Sequence, residues 1–489
     1  MIWALAGLSA LASVPAGLRW LRVAQREHYL PGEVTRSAAR WRRATPLNYV
    51  VELAGFAAML AMILHDVRWS FVVPVIAAVW PIGLSVKGAT SPLAWTDRLR
   101  RLAVVVGVLL AIGLVLGPLL GEPLAVLLPL YLLYALVDLV MWVLRPYERR
   151  SGAKWVERAA AKIRSLDLEI IAITGSYGKT TTKNYVAHLL AGSKRVVASP
   201  ASFNNRMGLA RAVNENLTPG AEVFVAEMGT YGRGEIADLC EWIPPKVAAI
   251  VAIGPVHLER FGTVEDIVRA KSEILDRAEV GVICVDHPLL AALARERAAT
   301  MKIVEVSADA GVVVDGRHLL VPPIGVFAAN LAVALGICQA LGIDPGGLLP
   351  RVADLPTPEH RQSVASGAGG FTIVDDTFNS NPDGARSALA TLLRVSTGGK
   401  TAVITPGMVE LGTVQDEENR SFAAEAARKV DHLVIVGRTN RTALTQGSAS
   451  GKASVTVVES REEAVDWARA HLGPGDAVLY ENDLPDHYP

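Results

Sequence analysis

Apolar residues are spread unevenly along this chain. In the first third they form long runs. After residue 151 they come in short bursts separated by polar, helix-periodic stretches. The long runs are residues 2–18, 49–64, 71–86, 102–120 and 124–144, which predict five membrane spans. The first is slightly short but does not read as a signal peptide: no basic segment precedes it, and the chain from Arg19 onward reads as a loop, not a cleavage site. Pro74 and Pro81 make the third an irregular or re-entrant candidate. The later bursts, at residues 169–173, 196–197, 223–226, 247–253, 281–285 and 303–306, alternate with helical patterns and predict a mostly parallel α/β sheet. A second α/β set follows residue 356, with strands expected at 371–374, 401–405, 432–436 and 477–480. The expected organisation is a helical membrane domain over 1–150, a central domain over 151–355 and a C-terminal domain over 356–489. Residues 154–166 are expected to form an amphipathic linker helix near the membrane surface.

Charge orients the membrane part. Arg19, Arg22, Arg26, Arg36, Arg40, Arg42 and Arg43 follow the first run. Lys87, Arg98, Arg100 and Arg101 follow the third, and Arg145, Arg149 and Arg150 follow the fifth. Basic residues therefore fall on alternate loops, which puts the N-terminus outside and everything after Arg145 in the cytoplasm. Glu52 and Asp138 lie inside apolar runs and read either as functional groups or as hydrogen-bonded interhelical carboxyls. Over the whole chain 48 basic residues balance 48 acidic ones, so there is no basic field for nucleic acid. Cys240, Cys284 and Cys338 lack metal-ligand spacing and read as buried, reduced thiols.

The chemistry starts where the first short burst ends. Residues 169–173 feed Thr174-Gly-Ser-Tyr-Gly-Lys-Thr-Thr-Thr182, and a helical pattern follows. Gly175 and Gly178 let the backbone N–H groups turn inward, Lys179 adds a positive charge, and Thr180 offers a hydroxyl to Mg²⁺. A strand, a glycine-bracketed loop and a helix in that order form a triphosphate cradle. Glu227 ends the apolar burst Val223-Phe-Val-Ala-Glu227, a position suited to a Mg²⁺-binding carboxylate beside the cradle. Taken alone, His257, Lys271 and the pair Asn204-Asn205 carry no such signal.

Together these segments resemble the Mur ligases, most closely the type that adds D-alanyl-D-alanine to the muramyl tripeptide. The resemblance rests on Thr174–Thr182, Asn204-Asn-Arg-Met-Gly208, Ala226-Glu-Met-Gly229 and His257-Leu-Glu-Arg-Phe-Gly262, with Lys271 fourteen positions after His257. It continues through Asn330, Glu359-His-Arg361, Asp375-Asp-Thr-Phe-Asn-Ser-Asn-Pro-Asp383 and Gly407-Met-Val-Glu-Leu-Gly412. For the chain after the α-helical membrane domain it implies two α/β domains, a P-loop Mur ligase central domain with a mostly parallel sheet and a Rossmann-like C-terminal domain. The roles it implies fall on ATP and a pair of Mg²⁺ ions. Thr174, Gly175, Ser176, Tyr177, Gly178, Lys179, Thr180 and Thr181 would hold the phosphates. Thr180 and Glu227 would bind one metal, and His257 with a carbamylated Lys271 the other. Asn330 would contact adenine, Asp376 the ribose, and Arg361 the phosphates. Asn204, Asn205, Asn379 and Asn381 would line the substrate cleft.

The implied reaction is ATP-dependent joining of a carboxylate to the amine of an amino acid or peptide, through an acyl phosphate. Here residues 1–150 are membrane-like where soluble relatives hold the UDP moiety. Phe378 stands in a tyrosine's place, Gly407 replaces an aspartate, and Tyr480-Glu-Asn-Asp-Leu-Pro-Asp486 replaces a Lys-Gly-Ser tail. The membrane-like region points to a lipid-linked or membrane-proximal acceptor, a cell-envelope precursor, handled by catalytic domains on the cytoplasmic face of a bacterial plasma membrane, and the other departures mark a diverged substrate half. The alternatives are the ordinary D-alanyl-D-alanine addition to a UDP-linked tripeptide, an envelope-polymer or poly-amino-acid ligase, and a P-loop ATPase that forms no amide bond.

Overall fold

The computed structural model describes residues 1–88, 92–323, 326–356, 361–367, 369–378 and 380–489. Asn379, an expected cleft residue, lies outside them, as do Glu359 and His360. The chain divides into two compact units. One comprises Met1–Ser151 together with Gly437–Thr439 and Leu484–Pro489, and the other comprises Gly152–Val436 and Asn440–Asp483.

The first unit is helical: α1 (Ile2–Arg26), α2 (Glu33–Ala44), α3 (Pro46–Leu64), α4 (Val72–Val79), α5 (Asp97–Leu120), α6 (Pro123–Tyr131) and α7 (Leu133–Arg164). Among the described residues α1, α3 and α5 are long and apolar enough to cross a membrane. The bent pair α6 and α7, which turn 77° at their junction, would add a fourth if they form one span. The third expected span is different. It forms a short turn of 3₁₀ helix and then α4, which stops at Trp80. The chain beyond α4 is held by polar groups. The Arg19 guanidinium donates to the carbonyls of Leu84, Trp80 and Ala78 at 3.0, 2.9 and 3.1 Å. The Asn48 side chain accepts from the Ile82 amide at 2.7 Å. An apolar run broken by prolines frees backbone groups that side chains must satisfy, so it makes a held loop and not a helix of membrane length.

The two acids within apolar runs are also placed. Asp138 accepts from the amides of Gly32 and Thr35 at 2.8 and 2.7 Å and from the Thr35 hydroxyl at 2.6 Å, which fastens the start of α2. Glu52 takes both arms of the Arg42 guanidinium. Both carboxyls therefore join helices of the unit. The expected linker helix is the end of α7, which from Gly152 onward belongs to the second unit and adds Val156, Ala159, Ala160 and Ile163 to that unit's core.

The second unit contains two sheets. The larger has the order β2-β3-β1-β4-β5-β6-β7-β8, with β1 Glu169–Thr174, β2 Val196–Ala198, β3 Val223–Glu227, β4 Val247–Ile250, β5 Val280–Cys284, β6 Lys302–Ser307, β7 Val312–Val314 and β8 Arg317–Leu320. Pairings from β2 to β6 are parallel, and β7 and β8 add an antiparallel edge. The smaller sheet has the order β13-β12-β11-β14-β10-β9, with β9 Ser363–Ser366, β10 Thr372–Asp376, β11 Thr401–Thr405, β12 His432–Val436, β13 Ser454–Val458 and β14 Ala477–Glu481. Among the described residues of this sheet only β9 runs antiparallel to its neighbour. The central strands are apolar on both faces because helices cover both sides. Adjacent parallel strands then end at one edge, where their connecting loops gather. The three cysteines are free and buried, and burial pushes each thiol up to about 12.

Candidate active site

The site is built on the C-terminal end of β1. Gly178 takes a left-handed backbone (φ 82°) to start helix α8 (Lys179–Leu190), and a Cβ there would sit 2.5 Å from the Asn330 amide nitrogen. The loop before it is fixed by its own side chains. Thr174 donates to the Met228 carbonyl at 2.8 Å, and Ser176 exchanges hydrogen bonds of 3.1 Å with Gly254. Asn330 donates to the Gly178 carbonyl at 2.7 Å and to Thr182 at 2.9 Å. Asn330, the residue expected at adenine, thus also braces the loop. The Lys179 ammonium folds onto the carbonyls of Gly175 and Ser176 at 2.7 and 3.3 Å, at the concave face of the loop. Burial lowers its pKa, and the nearby Glu227 opposes that shift.

Glu227 is the hub. Its carboxylate accepts from the Thr180 hydroxyl at 2.8 Å and the Asn204 amide at 3.1 Å, and pairs with Lys183 at 3.3 Å. Glu227 and Lys183 are 2% exposed. Burial alone would raise the carboxyl, but Lys183 and Lys179 hold it below its ordinary range. Among the described residues no group of three or more His, Cys, Asp or Glu converges as a metal cage. The Thr180 hydroxyl and the Glu227 carboxylate are hard oxygen donors beside a phosphate loop, a set that fits Mg²⁺ shared with substrate phosphates.

Lys271 lies in the helix Val264–Ser272 and is 3% exposed. Burial first, and then the charge of Lys179, push it well below the ordinary lysine range. His257 sits in a left-handed backbone (φ 61°), where its Nδ1 bonds the Glu410 carboxylate and its ring meets Tyr231 edge-on at 5.1 Å. Burial lowers the imidazole pKa, and Glu410 opposes this. The structure thus gives His257 a carboxylate partner from the element Gly407–Gly412.

On the C-terminal side, the Arg361 guanidinium lies 5.0 Å over the Phe378 ring. Burial lowers its pKa against the pull of Asp376 and Glu227. Asp376 ends β10 and is raised to about 7, by burial and then by Glu481. Glu481 is its register partner on β14 and accepts from Ser380 and Thr405. Asn381 and Asn205 cap helices, accepting from the amides of Gly384 and Gly208 at 3.0 and 2.9 Å. Tyr177 reaches from the phosphate loop to the Asp383 carboxylate at 2.5 Å. Thr181 is buried in the first turn of α8. Lys183, Glu410, Asp383 and Glu481 were not singled out from sequence. Asp383 and Glu410 lie in segments that carry the family resemblance, and Lys183 had a signal of its own: it lies three positions after Thr180 on a helix, hence on the same face.

Residues 173–318 match the Mur ligase middle domain, and residues 360–480 match the Mur ligase glutamate ligase domain. The UDP-N-acetylmuramoyl-tripeptide–D-alanyl-D-alanine ligase of Mycobacterium leprae is 32% identical over 383 residues, covering 67% of this chain and 73% of that protein. Among solved structures, MurF of Thermotoga maritima in complex with ADP is 26% identical with a TM-score of 0.56, covering 68% of this chain and 80% of that one. MurF of Acinetobacter baumannii has a TM-score of 0.59 at 24% identity, covering 68% and 77%. The protein belongs to the Mur ligase family, whose members use ATP and Mg²⁺ to form amide bonds.

Proposed function

We propose that this chain is a MurF-type ligase, joining the amine of a D-alanyl-D-alanine dipeptide to the terminal carboxylate of a UDP-N-acetylmuramoyl tripeptide. The observation that carries the reaction class is the convergence of Thr180, Lys183 and Asn204 on Glu227 beside Lys179. The substrate pair is supported by the M. leprae relative, which bears that activity in its name and is matched over most of its length. This favours the nucleotide-linked acceptor over the lipid-linked one expected from the membrane-like N-terminal region.

In this reading Lys179 and Arg361 carry the positive charge that meets the ATP phosphates, and the acceptor carboxylate attacks the γ-phosphorus to give an acyl phosphate and ADP. The donor amine then attacks the acyl carbon, the amide bond forms, and phosphate leaves. When bound, Mg²⁺ would be held by Thr180 and Glu227 and would neutralise phosphate charge. Burial and the charge of Lys179 disfavour the ammonium form of Lys271, and its unprotonated amine is the nucleophile that CO₂ requires. Its carbamate would form with loss of one proton and would place a negative charge next to Lys179. Asp376 is assigned to the ribose and Asn204 to the cleft.

The helical unit supports a second element of the proposal, multi-pass attachment to a plasma membrane with the catalytic unit in the cytoplasm. It contains three helices of spanning length and a bent pair. That unit is also the one observation favouring a polyprenyl-linked acceptor. The test is ATP-dependent phosphate release by the purified chain in detergent, with mass detection of product. UDP-linked and polyprenyl-linked tripeptides are each paired with D-alanyl-D-alanine and with single amino acids. Product from the UDP-linked tripeptide with the dipeptide is expected. Product only from the polyprenyl-linked acceptor would replace the first reading with the second.

A further inference from the structure

The last six residues belong to the helical unit, not to the α/β unit that precedes them in sequence. They meet it through specific polar groups. Arg22, wholly buried in α1, donates to Asp486 at 2.6 Å and to the Ser85 carbonyl at 2.6 Å. The Trp41 indole nitrogen donates to the His487 carbonyl at 2.9 Å. Glu27, 3% exposed, lies 3.3 Å from the His487 imidazole and also takes Arg40. The Arg40 guanidinium covers the Tyr488 ring at 4.5 Å. The Pro489 carbonyl accepts from the Thr439 hydroxyl at 2.6 Å. Burying an arginine, a glutamate and an indole N–H in one place requires partners for each; Ser85 and Arg40 provide some, and the tail supplies one more to each of the three.

We infer that the face formed by Arg22, Glu27, Arg40 and Trp41 is a peptide-binding site, selective for an Asp-His-Tyr-Pro segment and filled by residues 486–489 of the same chain. Its recognition elements are a buried cation for the aspartate, a buried carboxylate for the imidazole, an indole donor for the backbone and a guanidinium plane for the aromatic ring. The inference is independent of which substrates the ligase joins. It also gives a reason for the lost Lys-Gly-Ser tail: the chain beyond β14 is committed to a different contact.

The test uses a fluorescent Leu-Pro-Asp-His-Tyr-Pro peptide and three forms of the protein in detergent. The intact chain should not bind it, because the site is occupied. The chain shortened after Asp483, and the intact-length Asp486→Arg variant whose tail is repelled by Arg22, should both bind it saturably. Adding Arg22→Met to the shortened chain should weaken binding about ten-fold or more. In the intact chain, amides of residues 486–488 should exchange at least about ten-fold more slowly than in the free peptide. Peptide binding no better than that of a scrambled sequence by a folded shortened chain and by Asp486→Arg, or tail exchange at the free-peptide rate, would overturn the inference.

Discussion

Lys183 is the most informative residue to change. It is buried against Glu227, which is itself bonded to Thr180 and Asn204. Lys183→Met keeps the length and apolar stem of the side chain and deletes its charge. Breaking a buried pair from one side typically costs about 3–5 kcal/mol. The two remaining hydrogen bonds argue for the lower end, about 3 kcal/mol, or a fall of roughly 4 °C in the unfolding midpoint for a unit of this size. Removing the other charge as well, in Lys183→Met/Glu227→Gln, should recover most of that loss, because an uncompensated buried carboxylate is the main penalty. The pH dependence follows the same logic. In the parent the folded-state Glu227 pKa is depressed, so its contribution is present at neutral pH and is lost only as pH falls through the depressed value. Without Lys183 that loss moves up toward neutrality. Near-ultraviolet circular dichroism during heating, with and without Mg²⁺-ADP, reads all of this. Mg²⁺-ADP should stabilise Lys183→Met more than the parent, since the metal restores a counter-charge. Equal midpoints for parent and single variant, additive losses in the double variant, or no extra gain from Mg²⁺-ADP would refute the reasoning.

Three further outcomes are expected. Lys271→Ala should fold and bind ATP but lose amide formation, partly regained with added formate, and ¹³C-bicarbonate should give a carbamate resonance in the parent that the variant lacks. Asp376→Asn should alter stability in one direction. The parent carboxyl, raised from an ordinary 3.8 to about 7, holds a proton that the unfolded chain releases, so stability falls as pH rises between those values and is level above them. The variant should lose that slope, unfold at a higher temperature at alkaline pH, and bind ATP about ten-fold more weakly by calorimetry. Tyr177→Phe should remove the Asp383 contact and raise KM for ATP about three-fold or more, and adding Asp383→Asn should cause no further loss if the two act as one unit.

Much of the catalytic unit was legible because its signals are local. The run into Gly175, the glycine at 178 and the helix pattern after it are neighbours in sequence, and they are neighbours in the fold. The buried parallel strands were readable as apolar bursts. Of the strands without that signal, β8, β9 and β13 lie at sheet edges, where half-exposed residues leave weak patterns, and β7 is only three residues long. Long-range partners were out of reach. Nothing beside His257 announces Glu410, 153 positions away, and nothing in Arg22 announces Asp486, 464 positions away. The prolines at 74 and 81 did signal an irregular third run, yet hydropathy alone gave it the weight of a span. Glu52 and Asp138 could be told from functional groups only once Arg42 and the start of α2 were seen beside them.

The central claim is that this unit activates a carboxylate as an acyl phosphate. The most direct measurement is isotope transfer. UDP-N-acetylmuramoyl tripeptide labelled with ¹⁸O in its terminal carboxylate is incubated with ATP, Mg²⁺ and D-alanyl-D-alanine, and the released phosphate is analysed by ³¹P NMR. One ¹⁸O in each phosphate formed, in step with amide product, is the predicted result. Unlabelled phosphate released at the same rate with or without the dipeptide would contradict it and identify the chain as an ATPase that forms no amide bond.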